Sequence, residues 1–506
     1  MNSGKKSLGR PLSRLLIATA VIAASPAQAD DKAEIEKLRA QILELDQKLR
    51  VLDRKQELAA EDLAAKQKAA PIVSAGDKGF AFKSADGQFE YKLRGLLQFD
   101  YRSFSGDAYP DAIDGFLARR LRPTFEGTVF GNYGFRFTPE FGEGKSSVVD
   151  AYVDIKQVPE AQVRIGKFKP FVGLERLQGG ADTKFIERSY VSNNILPNRD
   201  LGISVFGDVL NNKLSYAVGL FNGVADGAEA TTAQDITSEK EYTARLFATP
   251  FAGDGSALQG LGFGIATTYG NNIGTTSVDA RGRVSAISSG LGSYKTPGQA
   301  NTFFNYTSSV STNTNTVNDF VLANGRHVRW TPQAYYYYGP LGVLAEYAES
   351  SQAVASYKAN ASWVYSENKS GTVESNAFQV AASWLLTGED ASFKGVKPLS
   401  PFRLGADGGW GAIELVARYQ ENSIGKDAAH FADKQKGYAL GAKTTGIGLN
   451  WYLNDASKLS VNYDYTQLKD VTAATSAGLG TPATVAKNPL SGTTEHLLVA
   501  RYQLAF

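Results

Sequence analysis

The last strand of the chain constrains its fold more than any other stretch. Counting back from Phe506, every second residue (Leu504, Tyr502, Ala500, Leu498) is apolar or aromatic, and the residues between include Arg501 and Gln503. A period of two with one greasy and one mixed face is a β-strand lying between two solvents. No soluble fold requires its last strand to stop on an aromatic carboxyl terminus, whereas a barrel in an outer membrane closes with such a strand.

The same alternation recurs from about residue 77 onward. Tyr91, Leu93, Gly95, Leu97, Phe99 and Tyr101 oppose Glu90, Lys92, Arg94, Gln98, Asp100 and Arg102. Ile447, Leu449, Trp451 and Leu453 lead into the turn Asn454-Asp455-Ala456-Ser457, and Leu459, Val461, Tyr463 and Tyr465 return from it. Polar faces persist in strand after strand without a linker, which favours one barrel with a wet lumen over several soluble sandwiches. Ser/Thr/Asn/Gly stretches at Ala225–Lys240, Gly270–Asn318, Ala355–Asn376 and Val471–Thr494 read as long loops, and Asn211-Asn212-Lys213 as a short turn. At roughly 27 residues per strand and connection, residues 77–506 predict an all-β transmembrane barrel of about 16 antiparallel strands. A barrel of that size leaves an aqueous channel.

Residues 1–29 predict a signal peptide. Lys5, Lys6, Arg10 and Arg14 form a basic start, Leu15–Ala24 a short apolar run, and Ala27-Gln28-Ala29 a cleavage site. The chain is therefore expected in the bacterial outer membrane, in contact with its lipid and lipopolysaccharide. The chain has 53 basic and 51 acidic residues; without the four leader cations the balance is 49 minus 51, or −2. Nucleic acid is excluded as a partner on that balance. The absence of cysteine leaves closure of a large sheet, rather than disulfides, to stabilise an exported protein.

Residues 30–70 follow a different rule. Ile35, Leu38, Ile42, Leu45, Leu49 and Leu52 recur at spacings of three and four, continued by Gln56, Ala59 and Leu63. This a/d seam predicts an α-helical coiled-coil segment that self-associates, with a single amphipathic helix as the alternative. Ile at a with Leu at d favours two strands in isolated peptides, so the seam alone does not set a trimer. A periplasmic contact, such as with peptidoglycan, is a further expectation for it.

Nothing in the chain assembles a catalytic site, so no enzyme, cofactor or metal is expected. His327 and His430 read as loop residues, and His496 lies at the outer edge of the last strand. The informative side chains are cations on inward faces: Arg119, Arg120, Arg122, Arg136, Arg164, Lys167, Lys169, Arg176, Lys184, Arg188 and Arg199. Guanidinium presents a planar fork of donors suited to phosphate oxygens, and rings of Arg and Lys select anions in pores. The competing reading pairs these cations with Glu126, Glu140, Asp154 and Glu175 to stiffen the wall.

Several ordered motifs resemble the phosphate-selective porin O and P family over residues 77–506. They are Phe116–Arg122, Val163–Phe168, Phe171–Glu175, Phe185–Arg188, Arg199–Gly202, Leu386–Glu389, Gly411–Leu415 and the terminal strand. The resemblance implies a homotrimer of 16-stranded barrels with an arginine ladder leading to a central anion site. It assigns Arg119 and Arg120 to the arginine pair near that site, Arg164 to a basic position beside them, and Glu140 to an acidic position that tempers the field. Arg122 stands where other members carry a tyrosine. Phe171–Arg199 is implied to be the inward-folded constriction loop, with Lys167, Lys169, Arg176, Lys184 and Arg188 as feeders. Phosphate, polyphosphate or other small anions are the expected solutes. A porin for sugars or organic anions, with Tyr335–Tyr338 as a stacking surface, is the alternative; a mainly structural periplasmic tether is another.

Overall fold

The computed structural model describes residues 30–76, 79–233, 235, 237–278, 284–308, 319–359, 365–405, 408–434, 436–472 and 493–506. The expected leader, and most of the expected loop Val471–Thr494, lie outside them. The chain divides into two compact units, 1–70 and 71–506.

In the first unit, α1 runs Asp30–Ala69. Its seam residues Ile35, Leu38, Ile42, Leu45, Leu49 and Leu52 are between 50% and 65% exposed.

The second unit is built on a sheet of eighteen strands. Two of them, Ile72–Gly76 and Gly79–Lys83, form a hairpin whose second strand pairs with the start of the next. The other sixteen are β1 (Glu90–Ser105), β2 (Gly115–Val129), β3 (Tyr133–Glu140), β4 (Ser147–Ile155), β5 (Gln162–Phe168), β6 (Asp200–Val209), β7 (Leu214–Phe221), β8 (Glu241–Ala248), β9 (Leu261–Ile273), β10 (Asp319–Tyr338), β11 (Leu341–Ala359), β12 (Tyr365–Leu385), β13 (Ala412–Ile424), β14 (Tyr438–Tyr452), β15 (Ser457–Thr472) and β16 (Thr494–Ala505). Each pairs antiparallel with its sequence neighbours, and β16 pairs with β1 from His496↔Ser105 to Ala505↔Leu96. The barrel is closed.

Along β15, Leu459, Val461 and Tyr463 are exposed while Ser460, Asn462 and Asp464 are buried. Along β16, Leu498 and Tyr502 face out while Glu495, Arg501 and Gln503 face in. Apolar side chains on the outside and polar ones inside are what lipid and lumen demand. The turn between β14 and β15 is set by Asn454, whose Oδ1 accepts from the N–H groups of Ala456 and Ser457 at 2.9 Å. Leu210, Asn211 and Asn212 take φ of 54°, 57° and 63° in the turn between β6 and β7.

One end of the barrel carries mostly short turns; residues 386–411 are its long connection. The other end carries 169–199, 222–240 and 274–318. The expected loop Ala355–Asn376 is largely strand instead: β11 and β12 pair from Leu341↔Trp384 to Ala359↔Tyr365. Neither end alternates: Val354, Ala355 and Ser356 of β11 are all buried and Ser366–Thr372 of β12 are all exposed, so their sequence resembles a loop.

The lumen is not wet throughout. Tyr190, Val191, Ile195 and Leu196 of the 169–199 connection pack with Tyr294, Phe303 and Phe304 of 274–318 into a buried apolar cluster. Polar wall residues tether the first of these: Asn462 accepts from Ile186 N–H at 2.7 Å and Gln420 from Tyr190 N–H at 2.9 Å. Loop residues thus supply a core inside the barrel and narrow the channel.

The seam between β16 and β1 ends in a fitted contact. Gly95 and Phe506 exchange two backbone hydrogen bonds of 2.8 and 3.0 Å. A Cβ on Gly95 would lie 2.4 Å from the Phe506 ring. We predict that Gly95→Leu overpacks this joint and costs about 1–3 kcal/mol. It should lower the temperature at which the folded barrel loses its compact gel mobility, with Gly95→Ala milder; an unchanged transition would reject the fit.

Candidate functional site

The arginines of β2 reach the lumen through a bulge. Gln98 stands opposite Arg120 and Phe99 opposite Ala118, which leaves Arg119 as an extra residue. Strict alternation sends one of two consecutive side chains to lipid; the bulge admits both to the inside. Arg119 donates from Nε to Glu187 at 2.6 Å and from Nη2 at 3.1 Å, and approaches Glu143 at 3.1 Å. Arg120 donates to the side chain of Gln98 and is buried.

A second departure occurs in β5. Gly166 has φ of +131°, and a Cβ there would lie 2.2 Å from the carbonyl oxygen of Ala151. Beyond it, Lys167 has the parity of the exposed Ile165 yet is 2% exposed, with Nζ 3.0 Å from Glu229 and 2.7 Å from the Val148 carbonyl.

The candidate cations divide by partner. Arg122 pairs with Glu140, and Arg136 with Glu126 directly across the strands. Arg164 makes a bidentate pair with Asp154 at 2.7 and 3.0 Å and lies 4.0 Å over the Tyr152 ring. Lys184 sits 2.8 Å from Glu414. Three of the four carboxylates named as expected partners, Glu126, Glu140 and Asp154, are therefore paired with candidate cations. Glu175, the fourth, accepts instead from Ser189 and Ser192 and stands 3.8 Å from Arg418.

By contrast, Arg120, Lys169, Arg176 and Arg188 form no ion pair with a carboxylate among the described residues. Lys169 and Arg188 both donate to the Gln178 carbonyl at 2.8 Å, and Arg176 to Asn198 at 3.1 Å. On the connecting segment, burial pushes the Lys169 ammonium well below the ordinary lysine range, with the Arg188 and Arg199 charges adding to the effect. Burial and the same two arginines push Arg176 down to about 9. Asp150 offsets part of this for Lys169, and Glu175 and Glu229 part of it for Arg176.

All of these candidate cations but Lys184 line one or both of two cavities. The one toward the long loops, about 670 Å³, has Arg119, Arg120, Arg122, Lys145, Lys167, Arg176, Arg188, Arg199 and Lys295 against Glu140, Glu143 and Glu229. The one toward the short turns, about 1080 Å³, has Arg94, Arg122, Arg136, Arg164, Lys169, Arg199, Arg245, Lys394 and Lys397 against Asp150, Asp182, Asp208 and Asp455. Arg122 and Arg199 are the residues common to both linings. Arg199 is held by Asp150 at 2.9 Å.

The expected grouping of Arg164 with Arg119 and Arg120 is not found, since they line different cavities, and Lys184 lines neither of the two. Arg245 was legible as an inward residue of β8, sharing the face of the buried Thr243 and Phe247. Lys295 and Lys394 lie in connections, where no periodicity points to them. Tyr335–Tyr338 is no single stacking surface: alternate rings face opposite sides, and Tyr335 is already covered by Phe393 at 5.4 Å. His327 is a buried strand residue, not a loop residue, with Nε2 3.0 Å from Asp226 and 3.1 Å from Ser350.

The family model described as phosphate-selective porin O and P matches residues 89–506. The chain belongs to this family. It is 24% identical over 417 residues to Porin O of Pseudomonas aeruginosa, covering 78% of this chain and 86% of that protein. Solved structures with similar folds include the outer membrane channel DcaP of Acinetobacter baumannii, at 11% identity, 85% and 100% coverage of the two chains, and a TM-score of 0.46. Another is Pseudomonas putida OprB, at 10% identity, 83% and 95% coverage, and a TM-score of 0.47. Membership of this family, together with the closed barrel, makes the protein a porin.

Within this porin, Glu187 joins the loop to the wall by contacting Arg119, Arg102 at 2.8 Å and Arg501 at 3.4 Å. We predict that Glu187→Gln leaves buried arginines short of a partner and costs about 2–5 kcal/mol. Thermal denaturation of the reconstituted barrel should report the loss; equal stability would show that the contact does not anchor the loop.

Proposed function

We propose that this porin passes small anions, phosphate or polyphosphate foremost, by passive diffusion as a homotrimer in the outer membrane. One observation carries the reading: two cationic cavities in series share Arg122 and Arg199. Nine cations face three acids in one cavity and nine face four in the other, and a low-dielectric wall strengthens their attraction for anions. We assign first capture to Arg120, Arg176 and Arg188, the narrow passage to Arg122 and Arg199, and release to Lys169 with Arg136 and Arg164 behind it. Arg119 and Lys167, each shared with an acid, shape the upper cavity. Lys184 is assigned to the wall. Residues 1–29 would direct export; lipopolysaccharide outside and peptidoglycan inside are the proposed envelope contacts.

The decisive measurement is the reversal potential of the reconstituted protein in a KCl gradient, followed by phosphate titration of the chloride current. We expect anion selectivity and saturable block. Arg120→Ala should weaken phosphate block by about tenfold or more, corresponding to a lost charge-assisted contact of about 1.5–3 kcal/mol. Arg136→Ala, which removes a cation already paired with Glu126, should weaken it less. Cation selectivity, or equal block in wild type and Arg120→Ala, would overturn the assignment.

A further inference from the structure

Among the described residues of its own unit, the apolar seam of α1 has no partner. With Ile35 at a and Leu38 at d, the seam continues through Ile42, Leu45, Leu49 and Leu52, all at least half exposed. Isolated exposed aliphatics are ordinary on a surface; six on one stripe are not. We propose that this seam docks the identical helix of partner subunits in a parallel, in-register coiled coil. The inference rests on the homotrimer reading above and adds to it the orientation, the register and the surface.

Charge selects the orientation. In a parallel in-register coil each g position faces the e position of the next heptad on the neighbouring helix. Glu34 then meets Arg39 of the partner subunit, and Lys48 meets Asp53 of the partner subunit; the other g positions, Gln41 and Lys55, meet Asp46 and Ala60 of the partner subunit. No like-charged pair arises between residues 34 and 60. A fully overlapped antiparallel pair instead sets Lys48 against itself, Asp46 against itself and Glu34 against Asp62 of the partner subunit. Symmetry asks for the same answer, because identical chains related by rotation about one membrane normal carry their helices in the same direction. Gln56 at an a position supplies a polar layer of the kind that fixes register.

The lack of cysteine in the chain makes the test direct. Full-length Leu38→Cys and Ala40→Cys proteins, reconstituted in lipid, are oxidised and run without reductant. Leu38 is in the seam and Ala40 faces away from it, so we expect Leu38→Cys to form covalent dimers about tenfold more readily than the control, by effective concentration. An antiparallel pair places Leu38 opposite Gln56 and gives no such product. Semi-native electrophoresis of the same samples reports the barrel assembly separately. Equal cross-linking of the two variants in samples that run as trimers would overturn the coil and leave the homotrimer standing. Equal cross-linking in samples that run as monomers would overturn both.

Discussion

Closure of the sheet is the constraint from which the rest follows. In hydrocarbon every backbone N–H and C=O needs a partner inside the protein, and an open edge leaves a row of them unmet. Pairing of β16 with β1 removes that edge. It also fixes parity: once the strands are in register, each side chain is assigned to lipid or lumen, and a slip of one residue would exchange the two sets. The fitted joint of Gly95 with Phe506 makes such a slip costly at the place where the ladder ends.

Closure then creates an interior that must be filled or wetted. A barrel of this size is too wide for wall side chains to meet across it. The chain solves this with its own loops: the 169–199 connection crosses the lumen, contributes Tyr190, Val191, Ile195 and Leu196 to an apolar cluster, and lays Arg176 and Arg188 beside the arginines of β2. A dry core inside a membrane barrel is the hydrophobic effect acting where lipid cannot reach. The channel is the space that remains.

Alternation made the barrel, its strand count and the lipid-facing residues legible, because period two reports the two solvents directly. It did not reveal positions where the backbone breaks the period, such as the bulge at Arg119 and the turn of β5 at Gly166 that brings Lys167 inside. It was silent where the period of two breaks down, as at Val354, Ala355 and Ser356 of β11, all buried, and along Ser366–Thr372 of β12, all exposed, which is why these ends read as loop. Carboxylate partners were partly legible, since Glu126 and Arg136 are register neighbours. The cations without such partners emerged only from tertiary placement. The resemblance to a porin family grouped Arg164 with Arg119 and Arg120, whereas Arg164 lines the cavity toward the short turns and the other two the cavity toward the long loops.

Net charge says nothing about the lumen, because acids and bases are distributed differently in space. Several lumen acids are paired with an arginine, as Glu126 is with Arg136, Glu140 with Arg122 and Asp154 with Arg164. The carboxylate-free cations lie to either side of the passage: Arg120, Arg176 and Arg188 line the upper cavity and Lys169 the lower. At the passage itself both arginines already share their donors with acids, Arg122 with Glu140 and Arg199 with Asp150. A pore must attract an ion strongly enough to admit it and hold it weakly enough to release it. Under the function proposed above, cations without a carboxylate on either side of paired ones would meet both demands: the cavities would concentrate anions, and the tempered arginines between them would let each anion move on.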